Sequence, residues 1–115
     1  MKTSELTGPT LDWAVAKCEG GSTMYWEGTV QWRGPEGKWS REPFRPSTYW
    51  AQGGPIIEQE KIATQPLGGG WFAGVGSGPN RSSWSAYGLT PPIAAMRCYV
   101  ASKLGDEIDI PKELL

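Results

Sequence analysis

The sequence predicts an α+β fold: a small antiparallel sheet packed against an N-terminal and a C-terminal helix, in a loop-rich single domain spanning residues 1–115. Three observations predict it. Apolar residues recur at helical spacing near both ends, each run preceded by a capping residue and a proline. Between them, most of the seven tryptophans, four tyrosines and two phenylalanines are set among glycines and prolines, so large rings separated by turns replace long aliphatic runs. At 115 residues the chain is long enough to bury roughly two thirds of its unfolded surface without help from a metal or a disulfide.

The first helix follows Thr7, Gly8 and Pro9, with Leu11, Ala14, Val15 and Cys18 on one face and Gly20 as a left-handed stop. Residues 23 to 33 alternate in part, which predicts strand pieces with a bulge at Gly28. The turn formers GPEG at 34 to 37 predict a hairpin that pairs residues near 29 to 33 with residues near 38 to 41, bringing Trp32 to Trp39. Pro43 and Pro46 end that strand, and Pro55 to Lys61 reads as one or two helical turns. One short strand is expected around Trp71 to Val75, followed by a glycine- and serine-rich loop through Gly88. The clearest element starts at Thr90, an N-cap before Pro91, with Ile93, Met96, Val100 and Leu104 along one stripe, Ala95 and Tyr99 widening it and Gly105 as its stop. Ile108 and Ile110 alternate in the tail and suggest a short edge strand before Pro111.

Eleven basic and twelve acidic residues nearly cancel, which removes the positive field that non-specific nucleic-acid or anionic-membrane binding needs. There is thus no strong case for DNA or RNA as partner, and none for a membrane, since no segment approaches a spanning length. MKTSELTGP lacks the apolar centre of a signal peptide, so a cytoplasmic location is expected. Cys18 and Cys98 each fall in an apolar helical pattern and read as reduced core thiols. The chain has no histidine, which deletes the commonest general base and transition-metal ligand; no enzymatic activity, cofactor or metal is expected.

Three stretches, LDWAVAKCEG at 11 to 20, PSTYWAQGGPIIEQEKI at 46 to 62 and TPPIAAMRCYVASKLGDEIDIPKEL at 90 to 114, resemble the NinX-like proteins of tailed bacteriophages and prophages. The resemblance implies a small protein made from a phage accessory region in the cytoplasm of a bacterial host. It carries over no reaction, cofactor or catalytic residue. The intervening segments match less closely, and differences in specificity among relatives are expected there.

Four candidate groups remain. Gly53 and Gly54, before Pro55, would let a backbone approach a ligand, and free amides at a following helix start would suit a phosphate. The competing explanation is an ordinary bend, favoured by the nearby Glu58 and Glu60. Trp39, Arg41, Phe44, Arg45, Tyr49 and Trp50 precede these glycines, and Trp71, Phe72, Arg81 and Trp84 follow them, supplying rings for a base and guanidinium forks for phosphate. Packing accounts equally for many of the rings; Trp13, Trp32 and Trp50 are assigned to the core. Arg81, Ser82 and Ser83 sit in a loop suited to close over an anion. The acids Asp12, Glu58, Glu60, Asp106, Glu107 and Asp109 match no calcium loop, and Arg97 and Lys103 read as the solvated face of the last helix.

The ligand-binding set expected from the sequence is therefore Arg41, Arg45, Tyr49, Gly53, Gly54, Trp71, Phe72, Arg81, Ser82 and Trp84. The function expected is non-catalytic binding of a nucleotide-like small molecule, with sequestration of a cyclic nucleotide of host defence as its role. The competing expectation is an adaptor or inhibitor that engages a host protein through an exposed Trp/Arg patch. Self-association is compatible with either.

Overall fold

The computed structural model describes residues 1–20, 22–26, 29–33, 43–75 and 84–114. The N-terminal helix α1 spans Gly8–Cys18 and the C-terminal helix α3 spans Pro91–Leu104, with a third, α2, at Trp50–Glu60. Strands β1 (Ser22–Trp26) and β2 (Thr29–Arg33) form one antiparallel pair, and β3 (Ala63–Leu67), β4 (Gly70–Val75) and β5 (Trp84–Gly88) form a separate three-stranded antiparallel sheet in that order. The fold is α+β, as the sequence predicts, but its strands are divided between two sheets.

Helix α1 starts where expected because the Thr7 N–H donates to Thr10 Oγ1 at 3.3 Å while that hydroxyl donates to the Thr7 carbonyl at 2.7 Å. It ends at Gly20, whose φ of 80° suits a residue without Cβ. In α3 the Thr90 side chain accepts from the Ile93 N–H at 3.3 Å, and Gly105, with φ 90°, stops the helix. Met96 and Val100 of the expected stripe are buried, as are Ala95 and Tyr99 that widen it, but burial reaches further round to Ala94 and Cys98, while Leu104 is exposed. The alanines let α1, α2 and the sheet approach α3 closely, so α3 is the centre of the core.

The described hairpin joins the two strand pieces themselves. β1 pairs with β2 from Ser22↔Arg33 to Trp26↔Thr29, with only two residues between the strands. Gly28 and the expected partner strand near 38 to 41 lie outside the described residues. Beyond them the Phe44 N–H donates to the Val30 carbonyl at 2.6 Å.

Helix α2 begins at Trp50 rather than Pro55, because tertiary contacts fix its first turn before the proline. The Gln52 side chain accepts from the Arg45 N–H at 2.6 Å and donates to the Pro43 carbonyl at 3.0 Å, clamping the preceding turn onto the helix start. Trp50, assigned to the core from the sequence, is 54% exposed, since its position at the helix start turns it outward. Trp13 is partly buried, with Lys17 Nζ 5.0 Å from its ring centroid, and packs against the core.

Two strands were not legible as such. β3 precedes Trp71, and β5 occupies WSAYG, read as loop. The tail strand is reduced to an isolated antiparallel bridge, Lys2↔Glu107, with a turn of 3-10 helix at Lys112–Leu114.

Candidate functional site

One edge of the three-stranded sheet carries a depression. β5 is the outer strand, and beside it runs the N-terminal segment, held to the tail by the Lys2↔Glu107 bridge and by the Thr3 N–H donating to the Asp106 carbonyl at 2.8 Å. Between these two borders, over α3, lies a half-open cleft of about 620 Å³. Trp84, Ser85 and Ala86 form one side, Lys2, Thr3 and Ser4 the other; Arg97 and Ala101 of α3 lie beneath, with Asp106 and Glu107 at the tail.

Register explains why Trp84 is there. Val75 pairs with Trp84, Ala73 with Ala86 and Trp71 with Gly88, so these residues share the face that packs on α3, and the fully buried Ala73 marks that face. Phe72 pairs with Tyr87 on the opposite face, ring edge to ring face with centroids 6.2 Å apart. Gly88 is the point of closest approach: a Cβ there would lie 2.5 Å from Ala94 N and 2.8 Å from Ile93 Cγ2.

Arg97 is fixed in the cleft by two backbone carbonyls. Its Nε donates to Leu6 O at 2.7 Å and its Nη1 to Tyr87 O at 2.8 Å, tying the chain before α1 to the sheet edge. Burial lowers its pKa from the ordinary arginine value, yet a guanidinium stays charged at neutral pH. Nη2 has no partner among the described residues. The expectation of a solvated Arg97 is thus corrected, whereas Lys103 is exposed as expected, pairing with Glu60 at 3.1 Å at the surface and lying over the Tyr99 ring. The signal that pointed to a solvated Arg97 was its position opposite an apolar stripe. α3 is instead buried on most sides, so that position faces protein.

The described members of the expected ligand-binding set do not converge. Trp84 lines the cleft; Trp71 is partly buried on the same sheet face and Phe72 lies on the other. Arg45 and Tyr49 sit together before α2, the guanidinium 5.2 Å from the ring centroid, and Arg45 borders a different, smaller cavity that shares no lining residue with the cleft. Arg41, Arg81 and Ser82 lie outside the described residues, as do Trp39 and Ser83. The amide cradle at Gly53 and Gly54 is not formed. α2 starts four residues before Gly54, and the Gly53 N–H already donates to Tyr49 O at 2.9 Å. Gly53 serves packing, because a Cβ there would run into the Pro46 carbonyl oxygen.

Neither thiol is poised for chemistry. Burial pushes Cys18 up to about 12 and Cys98 up to about 11, so both stay protonated at neutral pH, and neither is in a disulfide. Asp12 is nearly enclosed, and its Oδ1 accepts from the Ser47 N–H at 2.9 Å. Burial pushes its carboxyl up to about 6, against the opposing pull of the Ser47 N–H and hydroxyl and of the Arg45 charge. The Ser47 hydroxyl acts on this carboxyl, yet it makes no full hydrogen bond among the described residues. Among the described residues no three histidine, cysteine or acidic side chains come together to hold a metal ion, and no helix is long and apolar enough to cross a membrane.

Fold and site together define a small α+β domain with a half-open polar cleft along a sheet edge. The chain belongs to a phage family: the sequence model described as Bacteriophage P22, NinX matches residues 2–103. Membership makes it a phage accessory protein. No curated protein matches the chain. The family match includes Lys2, Trp84 and Arg97 and stops before Asp106 and Glu107.

Proposed function

We propose that the protein is a non-catalytic binder of a nucleotide-like small molecule, held in the cleft between β5 and the N-terminal segment. The observation that carries this reading is the convergence of one ring, two cations and two acids on a cleft of about 620 Å³, a size usual for small-molecule sites. Trp84 offers a flat surface for a base; Lys2 and the Nη2 of Arg97 offer donors to phosphate oxygens. Asp106 and Glu107 can accept from sugar hydroxyls or a base amine. Holding a ligand needs no general base, so the lack of histidine does not count against it. In a phage accessory protein, such a site would serve to sequester a cyclic nucleotide of host defence.

The test is a thermal-shift and calorimetric panel of mono-, di- and cyclic nucleotides. At least one should raise Tm, and Lys2→Ala should weaken its binding by about tenfold, the loss expected for one charge-assisted contact. A panel without any shift overturns the reading. The adaptor reading draws on a different surface: Leu89 is 81% exposed, and Tyr87 and Leu67 lie near it on the outer side of the sheet, 49% and 44% exposed. A null panel, together with capture of one host protein lost on Tyr87→Ala, would favour it.

A further inference from the structure

The smaller cavity, about 180 Å³, lies between the start of α1, Val30 of β2 and the turn before α2. Its walls are apolar, formed by Pro9, Val30, Pro43 and Phe44, and Arg45 and Thr48 also border it. Asp12 lines this cavity while being only 4% exposed. Buried carboxylates are ordinarily matched by a cation or several donors, because desolvation of an unmatched one is costly. Among the described residues Asp12 has no such match. Among the described residues its one hydrogen-bond donor is the Ser47 N–H, and no basic side chain reaches ion-pair distance. Arg45, the one charged group among the described residues that acts on this carboxyl, lies over the Tyr49 ring instead of pairing with it. The Ser47 hydroxyl, fully buried beside Asp12, also makes no full hydrogen bond among the described residues.

We propose that this cavity takes a flat head group presenting two N–H donors on one edge, the edge shared by guanine and by amidinium or guanidinium cations, with Asp12 as its acceptor. A carboxylate has two coplanar oxygens and about four lone-pair sites, so Oδ1 can keep the Ser47 N–H and still accept one arm of such a pair. The proline, valine and phenylalanine walls suit the apolar faces of a planar group. The volume, about 180 Å³, matches a head group, with whatever the head group is attached to left outside the cavity.

The test is calorimetric titration of the full chain with benzamidine and, separately, guanosine, at pH 5 and pH 7.5, for the wild type and Asp12→Asn. The asparagine keeps a carbonyl to accept the Ser47 N–H but turns donors toward the ligand. Binding of one probe should be about tenfold tighter at pH 7.5, because a carboxyl titrating near 6 is only about one tenth ionised at pH 5. The variant should lose at least about tenfold, as expected when a charge-assisted hydrogen bond is removed. Benzamidine alone would assign a cationic source, and guanosine alone a nucleobase. No binding of either probe at millimolar concentration, or binding that neither pH nor the substitution changes, overturns the proposal. Chemical-shift changes at Thr48 rather than Ser85 would distinguish this site from the cleft.

Discussion

At the scale of single residues, Asp12 and Arg97 show how burial converts ordinary surface residue types into structural ones. Asp12 has a folded pKa raised from the usual 3.8 to about 6, chiefly by burial. For a raised pKa, this group's contribution to stability is fully present below about 3.8 and is lost as pH rises through about 6. The ionised carboxyl therefore costs stability at neutral pH. Asp12→Asn should raise unfolding free energy at pH 7.5 by about 1 to 3 kcal/mol and have little effect near pH 4, the upper figure being the full linkage value for two pKa units. Urea denaturation of both proteins across that range measures the difference, and a variant less stable at pH 7.5 would contradict it. Neither role was legible in the sequence. Asp12 lies in a helical pattern with apolar neighbours, and nothing local announces that the distant Ser47 will cover it.

At the scale of elements, the ends of α1 and α3 were legible because their signals are local: a capping residue, a proline in the first turn and a glycine stop act within a few residues. β5 and the start of α2 were not, because distant contacts decide them. WSAYG becomes a strand through pairing with β4 and the close approach of α3 at Gly88. WAQGGPIIEQE becomes helical from its first residue because Gln52 and Gly53 fit against the turn containing Pro43 and Pro46. The candidate site was legible only in Trp84; Lys2, Arg97, Asp106 and Glu107 meet it through the assembly of segments far apart in the chain. The two neighbouring glycines of α2 test this view with opposite signs. A Cβ on Gly53 meets the Pro46 carbonyl, so Gly53→Ala should destabilise by about 1 to 3 kcal/mol. A Cβ on Gly54 meets nothing within 4 Å, so Gly54→Ala should stabilise by about 0.5 to 1 kcal/mol through helix propensity. Equal effects at both positions, read by thermal unfolding, would remove packing as the reason for Gly53.

At the scale of the whole molecule, the cleft depends on joining segments about a hundred residues apart. α3 is the common support, and Arg97 fixes Leu6 and Tyr87 on either side of it. The border opposite β5 has only one turn of 3-10 helix, Thr3–Glu5, of its own. It rests on the Lys2↔Glu107 bridge, the Ile108 N–H donating to Met1 O at 3.0 Å, and Thr3, whose N–H and Oγ1 both donate to the Asp106 carbonyl, at 2.8 and 3.1 Å. Thr3 is buried, so its hydroxyl bond is shielded from water. Thr3→Val keeps the shape and the backbone bond and deletes only the hydroxyl donor. The expected cost is about 1 kcal/mol, equivalent to roughly a fivefold loss of hydrogen-exchange protection at the Thr3 and Ile108 amides. If segment opening is local, α3 amides such as Val100 should keep their protection while the border loosens. Nucleotide affinity at the cleft should fall with it, because Lys2 and Glu107 would then have to be ordered by the ligand. Loss of protection spread evenly over α3 would instead mean that the border and the core open as one unit.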